Sequence, residues 1–579
     1  MSVSQLFHTV RFLRRQQIAG QIRTRLRSVV ENPERFARRR SPPFPGCCWQ
    51  PRGGFLPPGP QINAAGDLLQ GEFRFVGRSE RIGWPPLWDA AQPRLWQYNL
   101  HYFEFLWALD YPEARAVVAD WIANHALARG RVGWEPYPTS LRLVNWCGYF
   151  FGRHADRIAA DAEFRDELWR SVHVQAEWLG DHLETHLLGN HLLENAAALA
   201  FCGSCFAGPA ASAWYRRGRD LLAEQLPEQI LDDGGHCERS PMYQLRVAYV
   251  LAALRNIGRP ELSDLVDDPL ARTLRALSHL CHPDGGIALL NDSAVGVYNA
   301  PERLRDWCAQ VASRPPSLAT PAPGAFSMPA TGFFGALHDT GHYVICDAGR
   351  LGSDHLLAHS HGGIFSFELS LRGQRVVVDS GVYGYEPDEM RHYCRSTRAH
   401  NTVEVDGQSQ CEFWSAFRVA RRARPRDVES EVTGEGFRLS GWHDGYDRLR
   451  GRPRHRRHFA WHERGILMVK DAIDSSREVR GVSRLHLHPA CQVVRLEGKA
   501  AVIEHPQGRF GVRFAGAGAL DVEASYYCPE FGARIDNRAL ALSATGSPIE
   551  TGFCIASDCE QFEYDLVRGA RVDGRRFEW

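Results

Sequence analysis

The sequence predicts an α+β chain in two large parts, an incomplete α/α toroid followed by an antiparallel β-sandwich. Three observations carry this reading. From about residue 85 to 312, apolar residues recur at helical spacing, with Gly, Pro and Asp turns between the segments and no strand pattern. After a Pro-rich run at 314–324 the period falls to two, and β-branched and aromatic residues take over. The chain has 579 residues, more than one hydrophobic core serves.

The elements follow in order. Residues 1–60 form a basic amphipathic segment and a Pro-rich linker (Pro42, Pro43, Pro45, Pro57, Pro58, Pro60). In the first thirty residues Leu6, Phe7, Val10, Leu13, Ile18, Ile22 and Leu26 alternate with Arg11, Arg14, Arg15, Arg23, Arg25 and Arg27. Such a helix packs on its own domain or lies on a membrane surface, and the first is the expectation. Residues 61–313 carry the toroid, with helical pattern clearest at 113–128, 161–183, 191–206, 211–226 and 243–257. Paired helices without intervening strands suggest a helical toroid or solenoid, and the lack of a fixed repeat speaks against a regular array. Residues 325–579 carry the sandwich, with strands at 365–371, 375–379, 402–406, 465–471, 482–488, 493–496 and 509–514. A cleft is expected where the two layers meet.

Composition narrows the partners. Net charge is zero, the charged fraction 23% and the apolar fraction 44%, so no global field calls for nucleic acid or a membrane. Positive charge is almost all arginine, the only lysines being Lys470 and Lys499. Guanidinium forks suit carboxylates and sulfates. The runs Arg448 to Arg457 and Arg391, Arg395 and Arg398 are expected to grip an anionic polymer. Fifteen cysteines without a framework, including a lone Cys202/Cys205 pair, lean towards a reducing compartment. No apolar stretch is long enough to span a bilayer and no signal-type apolar region appears, so the cytoplasm is expected, with the periplasm as the alternative.

Four polar islands carry the chemistry. The first, Gly189-Asn-His-Leu-Leu-Glu-Asn195, opens an apolar helix, where free N–H groups favour anions. Its bland reading makes Asn190 an N-cap. The second runs from Asp232 to Tyr243, a turn dense in ionisable groups that ends on a tyrosine at a helix start. The third is His359-Ser-His361, two imidazoles on one face of a strand; Asp379 and His400 could complete an open metal site, and His486 with His488 compete for that role. The fourth, from Tyr383 to Thr402, holds anion-binding and proton-transfer groups on a loop.

Taken together, these islands resemble the heparinase II/III-like polysaccharide lyases over roughly residues 95–490. The motifs are Tyr98-Asn-Leu-His-Tyr-Phe103, Trp134-Glu-Pro-Tyr-Pro-Thr-Ser-Leu-Arg-Leu-Val-Asn-Trp146, Gly189 to Asn195, His359-Ser-His361, Val376-Val-Val-Asp-Ser-Gly381 and Arg395-Ser-Thr-Arg-Ala-His-Asn-Thr402. The resemblance implies a toroid plus sandwich, a bacterial exopolysaccharide setting and cleavage of a uronate polymer by β-elimination. By the same resemblance, Asn190 and His191 neutralise the substrate carboxylate, Tyr243 is the proton-transferring tyrosine, His359 a base, Tyr393 a second tyrosine, and His361, Asp379 and His400 hold zinc. Many members carry an acid two residues after the second histidine; here that position is Gly363.

The chemistry explains the residue types. Elimination removes the C5 proton of a uronate and expels the C4 oxygen, so the carboxylate must be neutralised and a base and an acid must be at hand. Arg142 is a further candidate for the carboxylate, Trp134 and Tyr137 for sugar stacking, and Glu194, Glu238, Arg239 and Arg395 for substrate contacts. The expected partners are an anionic polysaccharide or oligosaccharide and, at most, a second copy of the chain. Two other classes compete. A glycoside hydrolase would need two carboxylates about 5–9.5 Å apart, drawn from Asp233, Glu238 and Glu194. A binding or assembly factor would need no turnover.

Overall fold

A computed structural model describes residues 2–38, 41–51, 54–311 and 322–579. Most of the expected linker at 314–324 lies outside the described residues. The helical part runs from Arg94–Tyr102 to Pro301–Val311, and the first sandwich strand is Gly324–Met328. The helices Pro136–Trp146, Pro209–Gln229, Pro241–Asn256, Pro260–His279 and Pro301–Val311 all begin at proline. Its fixed φ suits the first turn, where the missing N–H would have no partner in any case. Their common core is aromatic-rich, with Trp96, Trp121, Trp146 and Trp169 fully buried. Gly203 and Gly218 let Gly189–Cys205 and Pro209–Gln229 touch backbone to backbone. A Cβ at Gly203 would lie 2.3 Å from Tyr215 N, and one at Gly218 would lie 2.4 Å from Ala200 N. One element was not expected, the hairpin Glu72–Phe75 with Arg78–Arg81, which seals the core through Phe73 and Phe75.

The second part is antiparallel throughout its named strand pairs. An eight-stranded sheet forms one layer. The other combines a five-stranded sheet, Gly324–Met328 to Gln374–Val377, with a four-stranded one, joined by the bridge Val377↔Leu487. Phe365, Phe367, Phe459, Val469, Phe510 and Phe553 interdigitate between the layers. Val378, Val382, Tyr527 and Phe531 instead enter the helical core, so the two parts share apolar packing. No described helix is long and apolar enough to cross a membrane.

Candidate active site

The site is built where one turn of the helical part plugs into the sandwich. Asn291 and Asp292 follow the apolar run Ile287–Leu290, and Asn291 has positive φ (57°). Backbone and side chain then stitch the parts together. Asp292 N–H donates to His359 O at 3.0 Å, and His361 N–H donates to Asn291 Oδ1 at 3.0 Å. Asp292 is fully buried and receives three groups. His359 Nδ1 lies 2.8 Å from Oδ2, His361 Nε2 lies 2.8 Å from Oδ1, and the Arg391 guanidinium donates to both oxygens, Nη2 to Oδ2 at 2.9 Å. Burial alone would raise this carboxyl. Arg391 and the two histidines outweigh it and hold Asp292 well below the usual carboxylate range. The Asp292 acceptor favours a proton on His359 Nδ1, and the ring's Nε2 faces Glu238, whose Oε2 lies 3.3 Å away.

Tyr243 stands beside that imidazole, ring centroids 4.2 Å apart. Ser240 caps its helix, and the Tyr243 hydroxyl meets the Tyr385 hydroxyl at 3.0 Å. Burial, with Tyr385 and Tyr298 nearby, pushes the Tyr243 phenol well above its ordinary value, so it stays protonated near neutrality. On the facing helix, Leu188 and Gly189 both have positive φ (65° and 55°), and a Cβ on Gly189 would fall 2.5 Å from Glu238 Oε1. This turn aims the Asn190 N–H at Glu238 Oε1, 2.8 Å away. Leu188 is the N-cap, so Asn190 is not the cap that its bland reading makes it. Its side-chain amide forms no hydrogen bond with any described residue. His191 stacks on Tyr137 at 4.4 Å and bonds Glu184 at 3.1 Å, and Asn195 in turn holds Glu184. Burial works against charge on His191, but Glu184, with Glu238 and Glu194 beyond, raises it above its ordinary value.

The expected metal triad is assembled as well. One ligand atom each from His361, Asp379 and His400 lie within 4.8 Å of one another, all buried. His361 Nδ1 and His400 Nε2 are buried without a hydrogen-bond partner, while Asp292 and Asp379 take the other nitrogen of each ring. Two orphaned imidazole nitrogens beside a carboxylate fit a divalent metal. His486 and His488 lie outside this group of three. His486 Nδ1 bonds Ser525 Oγ at 2.7 Å while its Nε2 is buried without a partner, and His488 packs on Tyr527. A Cβ on Gly363 would lie 3.3 Å from the His400 ring, so an acid at that position would stand against this ligand.

A model of the heparinase II/III N-terminus matches residues 107–311, and one of the heparinase II/III-like C-terminal region matches residues 320–560. The chain belongs to the heparinase II/III-like family. A heparin-sulfate lyase of Pedobacter heparinus is 26% identical over 319 residues, covering 50% of this chain and 47% of that protein. The chain thus spans about half the length of the curated lyases it matches. A Caulobacter vibrioides relative named FtsZ-localized protein C is 25% identical over 478 residues, 76% of this chain and 78% of its own. The solved heparan sulfate lyase of Pedobacter heparinus superposes with a TM-score of 0.65 at 17% identity, covering 97% of this chain and 94% of that one. That likeness shows the family's toroid-plus-sandwich fold.

Within this family frame, several predicted site residues serve the scaffold instead. Arg142 is fully buried: Nε donates to Gln175 Oε1 at 2.8 Å, Nη1 to Gly133 O and His101 O, and its guanidinium lies over Trp121. With its donors spent, it cannot reach a substrate carboxylate. Trp134 packs on Trp121 and donates to His125 O, so it is core rather than a sugar platform. Arg239 donates to Ala330 O and Arg350 O, tying the two parts together. Arg395 is 1% exposed and donates to Ser360 O, Ala416 O and Leu357 O, which fixes the loop carrying the His359/His361 pair. Glu194 is held bidentately by Arg246. Tyr393 bonds Ser525 Oγ at 2.9 Å and packs on Tyr526, and none of its described contacts is to Tyr243 or His359. The basic run also divides. Arg457 is buried on Asp471, Arg448 binds backbone carbonyls, and Arg450 and Arg456 are exposed.

Asp292, Tyr385 and Glu184 were missed. Asp292 had only a faint signal, a lone acid after an apolar run. Tyr385 was in view within the fourth island but had no assigned role. The carboxylates of a hydrolase are also accounted for: Asp233 accepts from Thr331, Glu194 is paired with Arg246, and Glu238 accepts from the Asn190 N–H and faces His359.

Proposed function

We propose that the chain is a polysaccharide lyase that cleaves a uronate-containing polymer by β-elimination. One observation carries this: a histidine with its tautomer fixed, a protonated tyrosine and a free asparagine amide meet at one junction. The uronate carboxylate lies against the Asn190 amide and His191, whose affinity for protons Glu184 raises against the effect of burial. His359 Nε2 takes the C5 proton. The C5–H electrons form the C4=C5 double bond, the C4–O bond breaks, and Tyr243 gives its proton to the leaving oxygen. This leaves an imidazolium beside a phenolate, and the proton returns between them before the next turn. Tyr137 offers a ring at the carboxylate end, next to His191. A bound metal would be held by His361, Asp379 and His400; we propose zinc, supplying a fixed charge that locks the His361 loop. The test is digestion of a panel of uronate polymers followed by ultraviolet absorbance. Unsaturated product from at least one polymer is expected. A new reducing end without unsaturation would make the chain a hydrolase, and neither product on any polymer would make it a binding factor.

A further inference from the structure

The helices Val3–Val10 and Arg15–Val30 are amphipathic the wrong way round for a helix that simply covers its own domain. In the first, Ser4, Thr9 and His8 face the sandwich: Thr9 Oγ1 bonds Val419 O and accepts from Trp414, Arg421 donates to Ser4 Oγ at 2.9 Å, and Arg422 donates to His8 O at 3.3 Å. The apolar row Val3, Leu6, Phe7 and Val10, spaced i, i+3, i+4 and i+7, faces outward, with Val3 86% and Phe7 61% exposed. The second helix repeats this. Gln17 and Gly20 are its buried residues. Gln17 donates to His355 O at 3.2 Å, and a Cβ on Gly20 would come within 3.0 Å of Thr185 and His186. Its outward stripe is Ile18, Ile22, Leu26 and Val29, again all exposed. Both helices therefore spend their polar side on the protein and offer their apolar side to whatever lies beyond it.

Charge decides what that is. Residues 2–30 hold six arginines and no acidic residue, in a chain of zero net charge. Arg23 and Arg25 flank the Ile22–Leu26 stripe and are exposed, as are Arg11 and Arg15. An apolar stripe bordered by guanidinium groups matches the acyl–headgroup boundary of an anionic bilayer, where aliphatic side chains enter and arginines reach the phosphates. A second copy docking symmetrically on the same face would set these arginine rows against each other. We propose that this face binds the surface of an anionic lipid bilayer, holding the chain there without a membrane span. Because Gln17 bonds the loop that leads to His359, the junction of the two parts would lie close to that surface. The inference is independent of the lyase reading.

The test is co-sedimentation of the full-length protein with vesicles of phosphatidylcholine containing about a third phosphatidylglycerol, against pure phosphatidylcholine, over a salt series. Wild-type protein should pellet with the anionic vesicles and be released as salt rises. The pair Ile22→Asp and Leu26→Asp sits at exposed positions, should keep the circular dichroism spectrum, and should lower the partition coefficient at least tenfold. Arg23→Glu with Arg25→Glu should abolish the preference for anionic lipid. Failure of the wild type to pellet would overturn the proposal, as would equal pelleting of a correctly folded Ile22→Asp/Leu26→Asp protein. A concentration-dependent dimer that the same pair abolishes, with no vesicle binding, would assign the face to a second copy instead.

Discussion

Replacing Tyr243 by Phe removes one oxygen and leaves the ring against His359 in place. The described hydrogen bonds of the phenol are limited to the Tyr385 hydroxyl at 3.0 Å, so the folded state should lose only about 1 kcal/mol. The transition state should lose far more. Proton delivery by a positioned acid is worth about 10²–10⁴ in rate, or ~3–5 kcal/mol. Because the two figures differ several-fold, the variant should unfold within a few degrees of the wild type yet turn over at least a hundred times more slowly. Initial rates of unsaturated product, with KM from the same curves, make the measurement. KM should stay within a few-fold, since the carboxylate contacts on Asn190 and His191 are untouched. Tyr385→Phe removes the same hydrogen bond from the other side and should cost a few-fold in rate at most. If folded Tyr243→Phe released product at near wild-type rate, Tyr243 could not be the acid, whatever its position.

Four further outcomes follow from the geometry. Asp292→Asn should cost about 10³-fold or more in kcat, because an amide no longer fixes the proton on His359 Nδ1, and should leave buried Arg391 unpaired at about 3–5 kcal/mol; paired rate and denaturant-unfolding measurements check both. Arg142→Ala should destabilise by a similar amount, yet leave the rate per folded molecule unchanged, since the guanidinium serves the toroid core; an altered KM with intact stability would restore it to the substrate. Elemental analysis should find about one divalent ion per chain, lost in His361→Ala with His400→Ala. Acid should destabilise the fold early. Burial depresses His125 to about 3 and His342 to about 4, so the unfolded chain binds more protons below the ordinary histidine value of 6.5. Their stability contribution is complete above that value and lost as pH falls towards about 3–4. Thermal melts across that window check it, and a flat profile would refute neutral burial.

Much of the fold was legible because periodicity is a direct trace of one-sided burial. The change from 3.6 to 2 across residues 314–324 needs no knowledge of contacts. The hairpin at 72–81 escaped notice because two four-residue strands are too short to show a period. Within the site, residues whose chemistry is local were readable: Asn190 and His191 at a helix start, and the His359/His361 pair, although the two histidines lie in the loop before the strand Ser366–Leu371 and not on a strand face. Arginines were the systematic error. Arg142, Arg239, Arg391 and Arg395 all read as anion binders, and each is spent on carbonyls or on Asp292. A guanidinium has five donors, and a sequence does not say whether they point to a ligand or to the protein's own loop backbones. Asp292 was invisible for the opposite reason, because its importance lies in three partners from 67, 69 and 99 residues away.

That long reach has a consequence for how the site comes into being. His359, His361 and Arg391 belong to the sandwich, while Asp292, which orders them, and Tyr243 and Asn190 belong to the helical part. Neither part alone can fix the His359 tautomer. Docking takes Asp292 and Arg391 out of water, a cost that is offset only because they pair with each other and Asp292 also takes His359 and His361. Docking of the two parts is thus favoured by the same contacts that complete the chemistry. Val378, Val382, Tyr527 and Phe531 add apolar area to the same junction. A substitution that loosens the interface, such as Arg239→Ala with its ties to Ala330 and Arg350, should therefore lower kcat in proportion to the undocked fraction and leave KM of the docked population unchanged. Limited proteolysis between the parts would report that fraction directly. A fall in kcat without increased cleavage would show that Arg239 acts on the site itself rather than through docking.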